Sequence, residues 1–310
     1  MKRAKNSAVL NLWLALLVLA IGAVAQVGGG SVAFAQPEHR PAAQASVAAA
    51  SPDTITVATF NIQIFGEAKA QKPKVMEVLA QTVSQYDIVA IQEVKGKTGT
   101  PMKKLEEAVD AKGRPCAVLI SPRLGRKEPR EQYAFLYRTD TLEPVGEPRL
   151  YREPAGSDQF SREPFLTRFK SKRGKFTFVL INVHTEPETA TKEIRALKDV
   201  LAFARQQYPM EKDFIILGDL NADCKYYNPK QPNPIPGTTW LVPESADTTV
   251  KSTDCTYDRI IITDACKEDF AGEVQVFRFD QKFGLSYKEA IEVSDHFPVW
   301  ARFNTDRDTD

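Results

Sequence analysis

The chain has 310 residues, 43% hydrophobic and 26% charged, with a formal net charge of +1. This ordinary globular composition allows one large domain or two small ones and lacks the bias of a disordered or fibrous chain. The near-neutral balance excludes a globally basic, architectural nucleic-acid binder, so any polyanion must be met by a local patch.

The N-terminus differs from the rest. Lys2, Arg3 and Lys5 give a basic start, an apolar run extends from Ala8 to about Val27, and Ala33-Phe34-Ala35 precedes Gln36. That order predicts a signal peptide over residues 1–35, and hence a secreted or periplasmic protein with no stable membrane association after cleavage. The alternative is a permanent anchor, because the run approaches the length of a span. Losing three basic residues and no acidic one takes the formal charge from +1 to −2. Residues 36–52, rich in Ala, Pro, Gln and Ser, read as a flexible leader. Residues 53–310 read as one domain without linker, repeat or low-complexity stretch.

Within that domain, the β-branched alternation of 54–62 predicts a strand. Pro73 opens a helix over 73–85, with Val75, Val78, Leu79 and Val83 at helical spacing. A short apolar strand follows over 87–93, then a second Pro-opened helix over 101–112. Strands are expected near 115–120, 132–138, 165–170 and 175–183. A long helix over 188–207 places Ile194, Leu197, Leu201 and Ala204 on one face. Further strands are expected at 213–218, 257–263, 273–278 and 297–303. Many strands with few helices between them predict two packed sheets with helices outside.

The strands end in a recurring way. Apolar runs stop abruptly at Asn61, Glu93, His184, Asp219 and Asp295-His296, with Asn221 two residues beyond Asp219. One polar strand end is an ordinary cap. Five of matching chemistry point instead to one rim of a sheet where carboxylates, amides and imidazoles converge, since buried groups of this kind are costly unless paired or metal-bound. The domain holds only two histidines, His184 and His296, both at strand ends. Carboxylates and amides without a Cys/His cluster favour a hard cation such as Mg²⁺, Mn²⁺ or Ca²⁺ over zinc. With two imidazoles, that set suits phosphoryl chemistry.

Read together, Phe-Asn61, Ile-Gln-Glu93, Gly-Asp219-Leu-Asn221-Ala-Asp223 and Ser-Asp295-His296-Phe-Pro resemble the endonuclease/exonuclease/phosphatase superfamily. The stretches Arg130-Glu131-Gln-Tyr-Ala-Phe-Leu-Tyr, Phe160-Ser-Arg162-Glu-Pro, Phe283-Gly-Leu-Ser286 and Ser245–Arg259 narrow the resemblance to its deoxyribonuclease I branch, over about residues 54–303. The resemblance implies a four-layer α/β sandwich, two central β-sheets flanked by helices, with the site at one sheet rim. It implies a secreted endonuclease that hydrolyses DNA phosphodiester bonds and uses Mg²⁺ or Mn²⁺; the lack of a major-groove recognition helix predicts little sequence specificity, and a monomer is expected. Glu93 would hold the catalytic metal with Asn61 and Asp295 near it. Asp219 and Asn221 would bind a second metal or the scissile phosphate. His296 would act with Asp258 and His184 with Glu131, and we read His296 as the base. Arg162 and Tyr257 would contact phosphate.

The resemblance also pairs Cys224 with Cys255. The residue pattern alone leaves three pairings open among four cysteines, and Cys116 and Cys266 are expected either as a second bridge or as buried thiols. Two loops resemble structural Ca²⁺ sites, one through Asp158, Phe160 and Glu163, without the short Cys pair that staples it in the family, the other through Asp247, Thr249 and Thr253. Lys251 stands in the second where a Thr is usual, and its ammonium is expected to weaken that site by lying against Asp247. Lys95 replaces a usual Arg and Pro129 a usual aromatic ring, both at DNA-contacting positions. The basic run Arg123, Arg126, Lys127 and Arg130 is expected to compensate as a backbone-contacting patch. Two competing functions are a phospholipid or sphingolipid phosphodiesterase of the same superfamily and a catalytically dead binding protein with this fold.

Overall fold

The apolar runs become the inner strands of two six-stranded sheets. The computed structural model describes residues 53–308; the expected signal peptide (1–35) and leader (36–52) lie outside the described residues. In the first sheet the order is β11 (Phe270–Val276), β12 (Val299–Asn304), β1 (Thr54–Phe65), β2 (Ile88–Val94), β4 (Gln132–Arg138) and β3 (Cys116–Ile120). In the second it is β5 (Leu142–Leu150), β6 (Phe165–Ser171), β7 (Thr177–His184), β8 (Phe214–Asp219), β10 (Asp258–Thr263) and β9 (Thr238–Trp240). The pairs β1–β2 and β7–β8 are parallel, and the other pairs are antiparallel.

Each central strand is buried on both faces, which is why it reads as a continuous hydrophobic run. Along β1 and β2, Ile55, Val57, Ile88 and Ala90 face a core shared by the two sheets, with Phe165, Phe178, Leu180, Ile215 and Ile260 opposite. Ala58, Phe60, Val89 and Ile91 point the other way, into a core under α1 (Pro73–Val83), α2 (Thr100–Asp110), α4 (Phe279–Lys282) and α5 (Tyr287–Val293). The outer face of the second sheet is covered by α3 (Ala190–Gln207), whose Ile194, Leu197, Leu201 and Ala204 are the stripe expected from spacing. The result is the four-layer α/β sandwich. Among the described residues, no helix is long and apolar enough to cross a membrane.

Several elements differ from expectation, and β5, β9 and α5 were not expected at all. β5 carries Pro144, Gly146 and Pro148, which hide a strand in sequence; it is tolerated because β5 is an edge strand, where a missing N–H is harmless. β11 starts earlier than the expected 273, and its register shifts between Phe270 and Val274 around Gly272, whose φ is +79°. Ser286 and Glu289 form a reciprocal capping box that opens α5.

Candidate active site

The strand ends converge because three local devices hold them at one rim, one of them between the two sheets. Gly218 pairs with Val183 in the parallel β7–β8 register, and a Cβ at Gly218 would lie 1.8 Å from the Val183 carbonyl. Only glycine permits that approach, at φ +147°, and it sets His184 directly beside Asp219. One layer below, the Gln92 amide donates to Asn182 Oδ1 at 2.6 Å, while Asn182 donates to the Ile91 and Ala134 carbonyls. This buried amide pair ties β2 to β7 immediately beneath Glu93 and His184. Finally, Ser294 donates to the Asn61 carbonyl at 2.6 Å and accepts from the His296 amide at 3.1 Å, which fixes the Asp295-His296 segment against β1.

The outcome is a nearly symmetric arrangement around Asp219. His184 Nδ1 lies 2.6 Å from Glu131 Oε1, and His296 Nδ1 lies 2.8 Å from Asp258 Oδ2. The opposite nitrogens, Nε2 of His184 and Nε2 of His296, each lie 3.6 Å from the same atom, Asp219 Oδ2. A carboxylate on Nδ1 fixes ring orientation and leaves Nε2 to face the centre. Asn61 donates to Asp219 Oδ2 at 3.0 Å and to Glu93 Oε1 at 3.3 Å. Glu93 and Asn221 both have left-handed backbones, φ +59° and +46°, a conformation costly for non-glycine residues and concentrated at functional sites.

The charges respond to this crowding. Burial works against a protonated His296, but Asp258 and then Asp219 outweigh it and push the imidazole up to about 10. Burial likewise opposes charge on His184, and Glu131 raises it nonetheless. Burial would raise Glu93, yet His184 and Lys95 hold it down at about 2. Burial is also the main force on Asp258, lifting its carboxyl, with His296, 2.8 Å away, pulling the other way.

Arg162 sits at the edge, its Nε 3.0 Å from the His184 carbonyl and 3.2 Å from Glu131, with Nη1 on Glu186. Its Nη2 has no hydrogen-bond partner. Beyond it opens a cleft of about 400 Å³ lined by Gly125, Arg126, Lys127, Pro129, Glu131 and Arg162. The Tyr257 ring flanks His296 at 6.1 Å, and Asn221 donates to the Thr185 carbonyl at 3.1 Å.

The hard-cation expectation can be tested on the donor set. Asn61 Oδ1 and Asp295 Oδ1 are buried acceptors with no hydrogen-bond partner, and Glu93 beside Asn61 is held anionic. Oxygen donors left open in this way fit Mg²⁺ or Mn²⁺. Asp219, Asp258 and His296 also bring ligand atoms within 4.8 Å of one another. That set fits a metal less well, because the fully buried Asp258 already holds His296 Nδ1.

The structure also shows features the sequence reading missed. Gln92 and Asn182 position the rim; polar amides inside otherwise apolar strands were their signal. Lys251 lies 2.7 Å from Asp295 Oδ2 and not against Asp247. Lys95 contacts Glu93 at 2.9 Å and lies 3.8 Å from Glu131. The basic run is partly neutralised: Arg126 grips Asp158, while Arg123 and Arg130 lie 4.0 and 3.7 Å from Glu128. Cys224 and Cys255 form the disulfide, whereas Cys116 and Cys266 are buried free thiols. Glu163 lines a separate cavity of about 700 Å³, and the Phe160 amide donates to Glu153 at 2.7 Å.

Comparison with known proteins places this geometry. Residues 58–296 match the Endonuclease/Exonuclease/phosphatase family. Deoxyribonuclease-1 of Gallus gallus is 37% identical over 258 residues, spanning 79% of this chain and 91% of that protein. Deoxyribonuclease gamma of Rattus norvegicus is 35% identical over 271 residues, spanning 82% and 86%. An endonuclease/exonuclease/phosphatase family protein of known structure from Bacteroides thetaiotaomicron shares the fold, with a TM-score of 0.54 at 17% identity over 82% of this chain and 98% of that one.

Proposed function

The chain belongs to the endonuclease/exonuclease/phosphatase family and is an enzyme of the nuclease and phosphodiesterase kind; on that premise we propose that it is an exported, divalent-metal-dependent endonuclease that hydrolyses DNA. The observation that carries this reading is the pair of imidazole–carboxylate couples whose Nε2 atoms both lie 3.6 Å from one atom, Asp219 Oδ2. A phosphodiester held there meets a proton acceptor on one side and a proton donor on the other, which is what in-line displacement by water requires.

In this reading His296 Nε2 removes the proton from water, with Asp258 holding Nδ1–H. His184, held by Glu131, protonates the leaving oxygen or steadies charge on the phosphate. Asp258, then Asp219 and Asp295, favour the protonated ring, and a cation held by Asp295 would weaken that residue's share of the pull. Asn61, Glu93 and Asp295 would hold Mg²⁺ or Mn²⁺, and that ion's contribution is Lewis-acid stabilisation of the phosphate. Arg162, whose buried Nη2 has no hydrogen-bond partner, would contact an adjacent phosphate, as would Asn221 and Tyr257. Support for export comes from the Cys224–Cys255 disulfide, a bond that persists in oxidising compartments. DNA is preferred to a lipid substrate because the curated relatives quoted above are deoxyribonucleases.

The test is relaxation of supercoiled plasmid by the purified protein in Mg²⁺, with chelator and with sphingomyelin as parallel substrates. Nicking that stops on chelation, with sphingomyelin untouched, is expected. Sphingomyelin turnover without nicking would replace the reading with the lipid one, and no turnover of either would favour the binding protein.

A further inference from the structure

The loop 247–253 lies across the Asp295-His296 segment in a fixed register. The Val250 amide donates to the Asp295 carbonyl at 2.8 Å, the Phe297 amide donates to the Thr248 carbonyl at 2.8 Å, and Thr249 forms a bridge with His296. This pairing delivers Lys251 to the rim, with its Nζ 2.7 Å from Asp295 Oδ2. The pair is asymmetric. The Asp295 side chain is 10% exposed and cannot move away, whereas that of Lys251 is 55% exposed and can swing into solvent. Asp295 Oδ1, the other oxygen, is buried and without a donor.

We propose that Lys251 is a tethered cation that competes with the divalent metal for Asp295, so that metal binding must displace its ammonium. This rests on the metal-site reading above. The neighbouring ammonium groups differ. Lys69 donates to the Val293 carbonyl at 2.9 Å and takes no carboxylate, and Lys95 is more enclosed and lies near Glu93 and Glu131 together. Lys251 is the one whose direct carboxylate contact is with Asp295, with Glu93 acting on it only at longer range. The displaced ammonium remains at the mouth of the site, where it is available to a substrate phosphate.

Calorimetric titration with Mn²⁺ at low salt tests this on the full protein, comparing wild type with Lys251→Gln. A half-exposed pair raises the apparent Kd by about two- to fivefold, or about 0.4–1 kcal/mol. Lys251→Gln is therefore expected to bind Mn²⁺ that much more tightly, with the gain shrinking in salt. Lys198→Gln, an exposed α3 position, should leave Kd unchanged and so exclude a general charge effect. If Glu93→Gln loses Mn²⁺ while Lys251→Gln binds no better than wild type, the competition is overturned and the metal reading stands. If neither Glu93→Gln nor Asp295→Asn weakens Mn²⁺ binding, both are overturned.

Discussion

The rim of strand ends and the two loops beside it contain the same kinds of side chain, arranged to opposite effect. In the loops the chain satisfies its own acids. Asp158 is gripped by Arg126 through Nε, 3.1 and 3.0 Å from its two oxygens, and through Nη2 at 2.8 Å. Asp247 Oδ1 takes the Thr249 amide at 2.9 Å, and the Thr249 hydroxyl lies between Asp247 and the Thr253 carbonyl. At the rim, acceptors are left open on Asn61 and Asp295, two imidazoles point at one carboxylate oxygen, and the backbone is strained at Glu93 and Asn221. Polar groups that complete one another stabilise a loop, whereas open acceptors gathered beside an anionic Glu93 and two imidazoles leave room for a ligand.

The largest effect should fall on the imidazoles. His296→Ala and His184→Ala are each expected to lower DNA cleavage by about 10²–10⁴-fold with the fold retained, the usual cost of losing an acid–base group. Cleavage assays beside near-ultraviolet circular dichroism would show it, and near-wild-type turnover in either variant would remove the rim's claim to the chemistry.

Next comes the covalent link between the two regions. Cys224 follows the Asp219–Asn221 turn, and Cys255 follows the 247–253 loop, 31 positions away. Closing such a loop is worth roughly 3–4 kcal/mol in the chain-entropy account. Reduction, or paired Cys→Ser substitution, should lower the melting temperature accordingly, and an unchanged melt would mean that hydrogen bonds alone hold the loop to the rim.

A third effect separates the regions by pH. His296 is raised to about 10 in the folded chain, against an ordinary value of about 6.5. A raised group contributes stability fully below the unfolded value and loses it as pH rises through the folded one. Chelated protein should therefore lose melting temperature between about pH 6.5 and about pH 10, and His296→Gln should flatten that slope. Persistence of the slope in the variant would place its origin outside the rim.

The smallest effect concerns calcium. With Asp158 and Asp247 already engaged, Ca²⁺ should shift the melt of chelated protein by less than about 2 °C, under roughly 1 kcal/mol for a domain of this size. Arg126→Gln frees Asp158 and should enlarge the shift. A large shift in wild type that Arg126→Gln leaves unchanged would show that the loops are incomplete after all.

Much of the rim was legible in the sequence because apolar strands stopping at Asn61, Glu93, His184 and Asp219 form a local pattern. The central strands were equally legible, since burial on both faces leaves no polar alternation to confuse the reading. Contacts across sequence distance were not. Lys251 was expected against Asp247, four residues away, because alternation along one strand is all a linear reading offers; its partner, Asp295, is set by pairing between two loops. Arg126 on Asp158 was hidden for the same reason. β5 was missed because its prolines are permitted only by an edge position that topology decides.

The most direct test of the account is where a metal goes. Crystals of the protein grown with Mn²⁺ and measured at the manganese absorption edge should give an anomalous peak among Asn61, Glu93 and Asp295, with none at Asp158 or Asp247. A peak at either loop with the rim empty would contradict the claim that the strand ends, and not the loops, are the part built to receive a ligand.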